Sequence, residues 1–228
     1  IDEMLSYIAN SNNTILEIKT SGTTAKPKTI LQNFKNVIRY VKKTREDDIW
    51  AFAYNPNHFA GLQVLFQALI NKNTIIFIFN KDFSDMPNIL EVNNVTNLSC
   101  TPTFMKMLIP YMYRIDSLKS VSFGGERLSQ KLVKDVQDIL PDVKIRNIYA
   151  SSEAGSVLAS DGEGFYIPKR YENVVKIIDN ELCIHKTLLG DFDLSGDWYH
   201  TGDIVKYISS KKFIFDTRES EIINTGGY

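Results

Sequence analysis

Cysteine is scarce in this 228-residue chain: there are two, Cys100 and Cys183, each inside an apolar stretch and far from the other. Such spacing offers neither a disulfide framework nor the close pairs of a metal site, so both are expected to be reduced core residues. Histidine is almost as rare. His58, His185 and His200 are too scattered along the chain to suggest a metal centre, and His185 and His200 are expected to be structural. Charge of one sign is missing as well: 26 Lys and Arg residues stand against 27 Asp and Glu at a formal charge of -1, with no run of like charges to grip a polyphosphate backbone. No nucleic-acid partner is expected. The longest apolar runs, 61–70 and 73–79, are far too short to cross a bilayer, and no charged-then-apolar signal opens the chain. The expectation is a cytoplasmic protein with no membrane partner. The chain starts at Ile1 rather than Met and stops on the turn-like Gly226-Gly227-Tyr228, so both ends read as cut.

What is plentiful is apolar and aromatic side chain. With 43% hydrophobic residues, 13 Phe and 11 Tyr, the chain can bury one sizeable core or two closely packed subdomains. Residues 14–19 (TILEIK) alternate as a strand does and run into the turn-prone 20–27. Apolar residues at helical spacing predict helices over 34–43 and 60–70, and 74–79 (TIIFIF) reads as a buried strand. Strands are expected over 95–100, 118–123 and 143–149. Between them, a helix opens at Pro102 behind a Thr101 cap, and an amphipathic helix over 129–140 carries Leu132, Val133, Val136 and Leu140 on one face. This alternation predicts layered α/β/α architecture with a mostly parallel sheet. From 155 to 215 only short β-prone pieces remain, at 173–178, 181–185, 202–207 and 212–216, separated by Gly, Asp and Asn turns. They predict a small β-rich, barrel-like subdomain.

The most informative stretch is Thr20-Ser21-Gly22-Thr23-Thr24-Ala25-Lys26-Pro27-Lys28, a hydroxyl-rich loop with a glycine and two lysines after a strand. Backbone N–H groups, hydroxyls and an ammonium can converge there on one polyphosphate, and the glycine lets the backbone come close. A solvated turn would use the same residue types. The order of glycine, lysine and hydroxyl is not that of the P-loop NTPases.

That loop resembles the signature of the acyl-adenylate-forming (AMP-binding) superfamily: acyl-CoA synthetases, luciferases and peptide-synthetase adenylation domains. Further stretches match in order. Asn57-His58-Phe59-Ala60-Gly61-Leu62 is similar to the acyl-binding His-x-x-Gly-Leu segment, and Phe123-Gly124-Gly125-Glu126 to the adenine-pocket glycine turn. Asn147-Ile148-Tyr149-Ala150-Ser151-Ser152-Glu153 is similar to Tyr-Gly-x-Thr-Glu; Glu181-Leu182-Cys183-Ile184, Trp198-Tyr199-His200-Thr201-Gly202-Asp203 and Asp216-Thr217-Arg218 resemble the next three segments. The resemblance implies the large-domain fold of these enzymes and a ligase that joins a carboxylic acid to ATP's α-phosphate, releases pyrophosphate, and passes the acyl group to a thiol of CoA or a carrier protein. It implies that Thr20, Ser21, Gly22, Thr23, Thr24 and Lys28 hold the β- and γ-phosphates. Gly124, Gly125 and Glu126 would line the adenine pocket with Asn147, Ala150 and Ser151, and Tyr149 would stack on the base. Ser152 would touch the α-phosphate, Glu153 would bind Mg2+, Asp203 would accept both ribose hydroxyls with Arg218 beside it, and His58 would lie next to the acid. Residues 1–154 would form the nucleotide- and acyl-binding core, 155–219 the β-rich subdomain that completes the ribose site, and 220–228 the hinge toward a lid domain.

The chain departs from the family pattern at several points. Ala25 and Ala150 replace usual glycines, Ser152 replaces a threonine, and Thr217 replaces a glycine. An alanine at a position that needs positive φ would be strained, which bears on phosphate affinity. The resemblance also implies a lid lysine beyond Tyr228, carried by the missing lid or by a separate lid chain. Within the superfamily, 57–62 looks closest to o-succinylbenzoate-CoA and other acyl-CoA ligases. No acid occurs between Trp50 and Phe79 to pair with an α-amino group, so an amino-acid-adenylating domain is the less favoured form. The other alternative is a degenerate or split module that binds nucleotide without turnover.

Overall fold

The computed structural model describes residues 14–20, 28–39, 41–55 and 58–218. The expected first strand is β1 (Ile15–Thr20), and it pairs antiparallel with β2 (Lys28–Asn33), placing Ile18 across from Ile30. The hydroxyl-rich segment 21–27 lies between these two strands and outside the described residues. The helix expected over 34–43 is a single turn, α1 (Phe34–Val37), capped by Asn33, whose side chain accepts from Lys35 N. It stops because tertiary bonds recruit the following backbone: Gln67 bonds both the N–H and the carbonyl of Lys42, and Asn71 bonds the same carbonyl. Local spacing alone cannot report that competition.

Next come β3 (Ile49–Phe52), α2 (Phe59–Ile70), β4 (Thr74–Phe77), α3 (Met86–Val92), β5 (Asn97–Cys100), α4 (Pro102–Leu108), β6 (Ser120–Gly124), α5 (Gln130–Ile139), β7 (Lys144–Ser151) and β8 (Gly155–Ser160). They build a six-stranded sheet in the order β4-β3-β5-β6-β7-β8, parallel throughout except for β8. The expected Thr101 cap accepts from Phe104 N ahead of Pro102, and Ser129, expected inside the next helix, caps it instead by accepting from Leu132 N at the start of α5. β3 and α3 are not among the expected elements. β4 corrects the buried-strand expectation, because among the described residues it pairs only with β3, forms the sheet edge and leaves Phe77 exposed. Its apolar run reflects partial cover on both faces, with Ile75 against the cluster around Trp50 and Ile76 against the main core.

Alternation along the central strands decides where the core and the cavity lie. Leu98 and Cys100 of β5, with Val121 and Phe123 of β6, pack against α3, α4 and α5. α5 contributes Leu132, Val133 and Val136, each worth roughly 1.5–3 kcal/mol by burial. Asn97, Ser99, Ser120 and Ser122 point the other way and line a cavity instead. On that face α2 covers only the β3 side, through Val64 and Ala68 against Trp50, Phe52 and Tyr54.

The second sheet is antiparallel, in the order β12 (Phe213–Arg218), β11 (Trp198–Tyr207), β10 (Glu181–His185), β9 (Val175–Ile178). It matches the expected β-rich unit, and only 3-10 turns interrupt it. β8 joins the two halves: it hydrogen-bonds to β7, while Val157 and Leu158 pack with Leu182, Ile184 and Phe213 of the second sheet. No described helix is long and apolar enough to cross a membrane.

Candidate active site

A cavity of about 1380 Å3 lies over the polar face of the parallel sheet, between α2, residues 148–153 of β7 and its following turn, and Glu181 of β10 with residues 199–203 of β11. Its lining includes Ser151, Ser152, Glu153, Gly202 and Asp203, and it reaches the carboxyl ends of β6 and β7, where open α/β sheets commonly bind ligands. Burial and the neighbouring Cys100 push the Tyr54 phenol on the cavity wall above its ordinary range, so it remains a neutral hydroxyl.

Asp203 sits on an irregularity of β11. Between the Glu181–Ile204 and Cys183–His200 pairs β10 has one residue and β11 has three, Thr201, Gly202 and Asp203. Such a bulge re-aims side chains, and Gly202 takes the positive φ of 74° that the turn requires. The displaced donors are satisfied locally: Gly202 N donates to Glu181 Oε1 at 2.6 Å and Asp203 N to Thr201 Oγ1 at 3.1 Å. The Tyr149 hydroxyl reaches across from β7 and donates to Asp203 Oδ2 at 2.6 Å, while its ring stacks on Phe215 with centroids 4.4 Å apart. Arg218 is the backbone partner of Asp203 on β12.

Glu153 opens onto the same cavity, and its Oε1 accepts from the Tyr199 hydroxyl at 3.1 Å. The turn that carries it is clamped by a residue that no motif flagged. Gln32 of β2, fully buried, donates through Nε2 to the carbonyls of Ser152 at 2.8 Å and Glu153 at 2.5 Å. Asn36 and Arg39 extend the clamp to the carbonyls of Leu189 and Leu188, and Leu31 bridges Asp191. The β1–β2 hairpin is thereby fastened beside Ser152 and Glu153. A polar residue inside a strand, followed by Asn and Arg four and seven residues later, is a faint signal that only the fold makes legible.

The other expected site residues divide. His58, Gly124, Gly125, Ala150 and Ser151 line the cavity; His58 precedes α2 without capping it through its side chain. Gly125 has φ +82°, so its glycine is required by the turn. Ala150 is not among the positive-φ residues, and the strain that its alanine threatened is absent. Glu126 and Asn147 do not line the cavity. The Glu126 carboxylate instead accepts from Thr103 N and Oγ1 at the start of α4, and the buried Asn147 amide donates to the carbonyls of Gly162 and Glu163. Thr20 and Lys28 end β1 and begin β2, whereas Ser21, Gly22, Thr23 and Thr24 lie outside the described residues. Gly61 of the acyl-binding segment is a packing glycine, because an added Cβ would stand 2.5 Å from the Asn55 carbonyl oxygen.

The profile of the AMP-binding enzyme family matches residues 6–183. The chain belongs to this family. Among curated relatives, 2-succinylbenzoate--CoA ligase of Staphylococcus epidermidis is 24% identical over 240 residues, covering 91% of this chain and 50% of its own length. The chain spans about half the length of the 2-succinylbenzoate--CoA ligases that it matches. The solved O-succinylbenzoate coenzyme A synthetase (MenE) of Bacillus subtilis with AMP superposes at TM-score 0.75 and 18% identity, over 96% of this chain and 52% of that one. Its complex with ATP and a magnesium ion superposes at 0.72 and 19% identity, over 93% and 51%. The Vibrio cholerae adenylation domain AlmE, bound to glycyl-adenosine-5'-phosphate, reaches 0.77 at 18% identity, over 92% and 49%. These structural likenesses show that the AMP-binding fold is shared, with its α/β layers and β-rich sheet.

Proposed function

We propose that this AMP-binding chain carries the nucleotide and acid sites of an AMP-forming carboxylate ligase, which activates a carboxylic acid with ATP to an acyl-adenylate and pyrophosphate. Transfer to a thiol, of CoA or of a carrier protein, would complete the reaction of the whole enzyme, with a lid on this chain or a separate one closing the site. The observation that carries the reading is the bond from Tyr149 to Asp203 on the cavity wall, where a fixed carboxylate can accept two vicinal ribose hydroxyls. Ser152 lies one residue before Glu153 and would meet the α-phosphate, with the 20–28 hydroxyls and Lys28 on the β- and γ-phosphates. The acid would lie along the polar sheet face between His58 and Ser122, within the same cavity. Holding it in line with the α-phosphate lowers the entropic part of the barrier.

The Glu153 carboxylate suits Mg2+: it is a hard oxygen donor on the cavity wall, bonded by the Tyr199 hydroxyl, and no ion pair engages it among the described residues. Bound there with phosphate oxygens, the ion would offset the charge that builds on the departing pyrophosphate. The acyl-CoA form is preferred over an amino-acid-adenylating one because α2 and the strands beside it, residues 50–79, contain no acid to meet an α-amino group.

Calorimetric titration with ATP plus Mg2+, AMP and GTP, run beside Asp203→Ala, tests the proposal. Adenine nucleotides should bind, GTP should not, and Asp203→Ala should lose roughly 1–3 kcal/mol for the ribose hydrogen bonds. Binding without acid-dependent pyrophosphate release would favour the degenerate-module alternative, and no binding to the folded chain would sink the ligase reading.

A further inference from the structure

Three unlike ligand groups meet on one face of the second sheet. Glu181 and Cys183 stand two residues apart on β10, so their side chains share a face, and His200 is the β11 partner directly across from Cys183. His200 Nδ1 lies 2.7 Å from Glu181 Oε2 and 3.5 Å from Cys183 Sγ, and ligand atoms of all three lie within 4.8 Å of one another. Sequence spacing hides the grouping, since strand pairing rather than chain proximity brings His200 to the cysteine.

We propose that Glu181, Cys183 and His200 form a binding site for a borderline-soft divalent cation of the Zn2+ type, with water as the fourth ligand. Oxygen, thiolate and imidazole together suit Zn2+ and exclude a hard cation such as Mg2+. Zn2+ bonds of about 2.0–2.3 Å place tetrahedral ligand atoms roughly 3.3–3.8 Å apart. The cysteine–histidine separation already meets that spacing. The glutamate–histidine pair must open slightly, which an imidazole with 57% of its side chain exposed can do by rotation. Glu181 and His200 line the main cavity, so the ion has an entry path although the thiol is buried. Burial and the Glu181 carboxylate keep the Cys183 thiol protonated without metal; on binding, the S–H proton passes to water and the thiolate and carboxylate balance the ion's charge. Lys176 and Asp179, the charged neighbours from β9 and its turn, act in opposite senses on the thiol. Glu181 Oε2 faces the histidine while Oε1 holds Gly202 N, so the site adjoins the bulge that carries Asp203.

Metal-stripped chain titrated with Co2+ in excess Mg2+ should bind one equivalent and develop a near-ultraviolet thiolate-to-cobalt band, which Zn2+ then abolishes. Cys183→Ser should remove the band. His200→Ala, at an exposed position where folding is safe, should weaken Zn2+ binding by at least the roughly 10–100-fold typical of losing even an outer-sphere partner. His185→Ala should change neither. Circular dichroism would verify that each variant is folded. Absence of saturable binding to the folded chain overturns the site, and so does a band that survives Cys183→Ser or a Zn2+ affinity that His200→Ala leaves intact.

Discussion

The Tyr149 hydroxyl donates to Asp203 Oδ2 at 2.6 Å, and this bond ties the last parallel strand of the first sheet to the bulge of the second. It orients a carboxylate that otherwise sits on a three-residue irregularity, and the Tyr149–Phe215 stack fixes the phenol in turn. Tyr149→Phe keeps the stack and removes the bond. The expected loss is about 1 kcal/mol of AMP binding, roughly a fivefold rise in Kd, with the melting temperature little changed. Isothermal titration measures it; an unchanged Kd would mean that the bond supports the fold alone.

Gln32 stakes a larger effect on stability. Its buried amide serves two carbonyls of the turn that presents Ser152 and Glu153, and Gly190 packs so close that its absent Cβ would lie 2.8 Å from Gln32 Cδ. Gln32→Ala strands both carbonyls and leaves a void, a cost of roughly 2–4 kcal/mol. Urea unfolding should show a lower midpoint with an unchanged slope. AMP affinity should fall with it, because the 152–153 turn loses its clamp.

How far the sequence discloses this site depends on what each residue answers to. Thr101 and the α5 stripe obey local rules of capping and periodicity, and they stand where those rules put them. The length of α1 and the edge position of β4 depend on partners far away in sequence, Gln67 and β3, so local spacing misreads both. Of the motif residues, Asp203, Ser152 and Glu153 line one cavity, whereas the Tyr149 ring stacks on Phe215 and only its hydroxyl meets Asp203, and Glu126 and Asn147 turn to Thr103 and Gly162. A motif specifies a backbone turn more reliably than the destination of every side chain in it. Gln32 and the Glu181–Cys183–His200 group escape local pattern, since the first acts through side-chain bonds to a turn 120 residues away and the second through pairing between strands.

At the far end of the cavity, Lys42 is crowded by cations. Partial burial is the main cause that lowers its pKa from the ordinary 10.5, followed by Arg146, Lys144 and Arg170, against the single opposing charge of Asp161. A lysine held below its unfolded value is a penalty at neutral pH, where both states are protonated, and the penalty is relieved as pH rises from the depressed value to 10.5. Lys42→Gln should therefore raise the melting temperature slightly at neutral pH, most at low ionic strength, with the gain shrinking as salt or pH increases. The bonds at this residue from Gln67 and Asn71 reach its backbone and survive the change. A melting temperature that falls at low salt would show that the ammonium contributes a favourable contact instead.

Glu153 separates metal binding from nucleotide binding. In Glu153→Gln the amide oxygen can still accept from the Tyr199 hydroxyl, and the backbone clamp from Gln32 is untouched, so the turn keeps its shape. What disappears is the negative charge on which the proposed hard-cation site depends. AMP affinity should hold, since the ribose contacts proposed for Asp203 lie on another strand. The gain in ATP affinity on adding Mg2+ should vanish, and acid-dependent pyrophosphate release should fall by a hundredfold or so, about the effect of losing one electrostatic stabiliser of the transition state. A full Mg2+ increment in Glu153→Gln would move the ion to other ligands, and a parallel loss of AMP binding would make Glu153 a structural member of the turn.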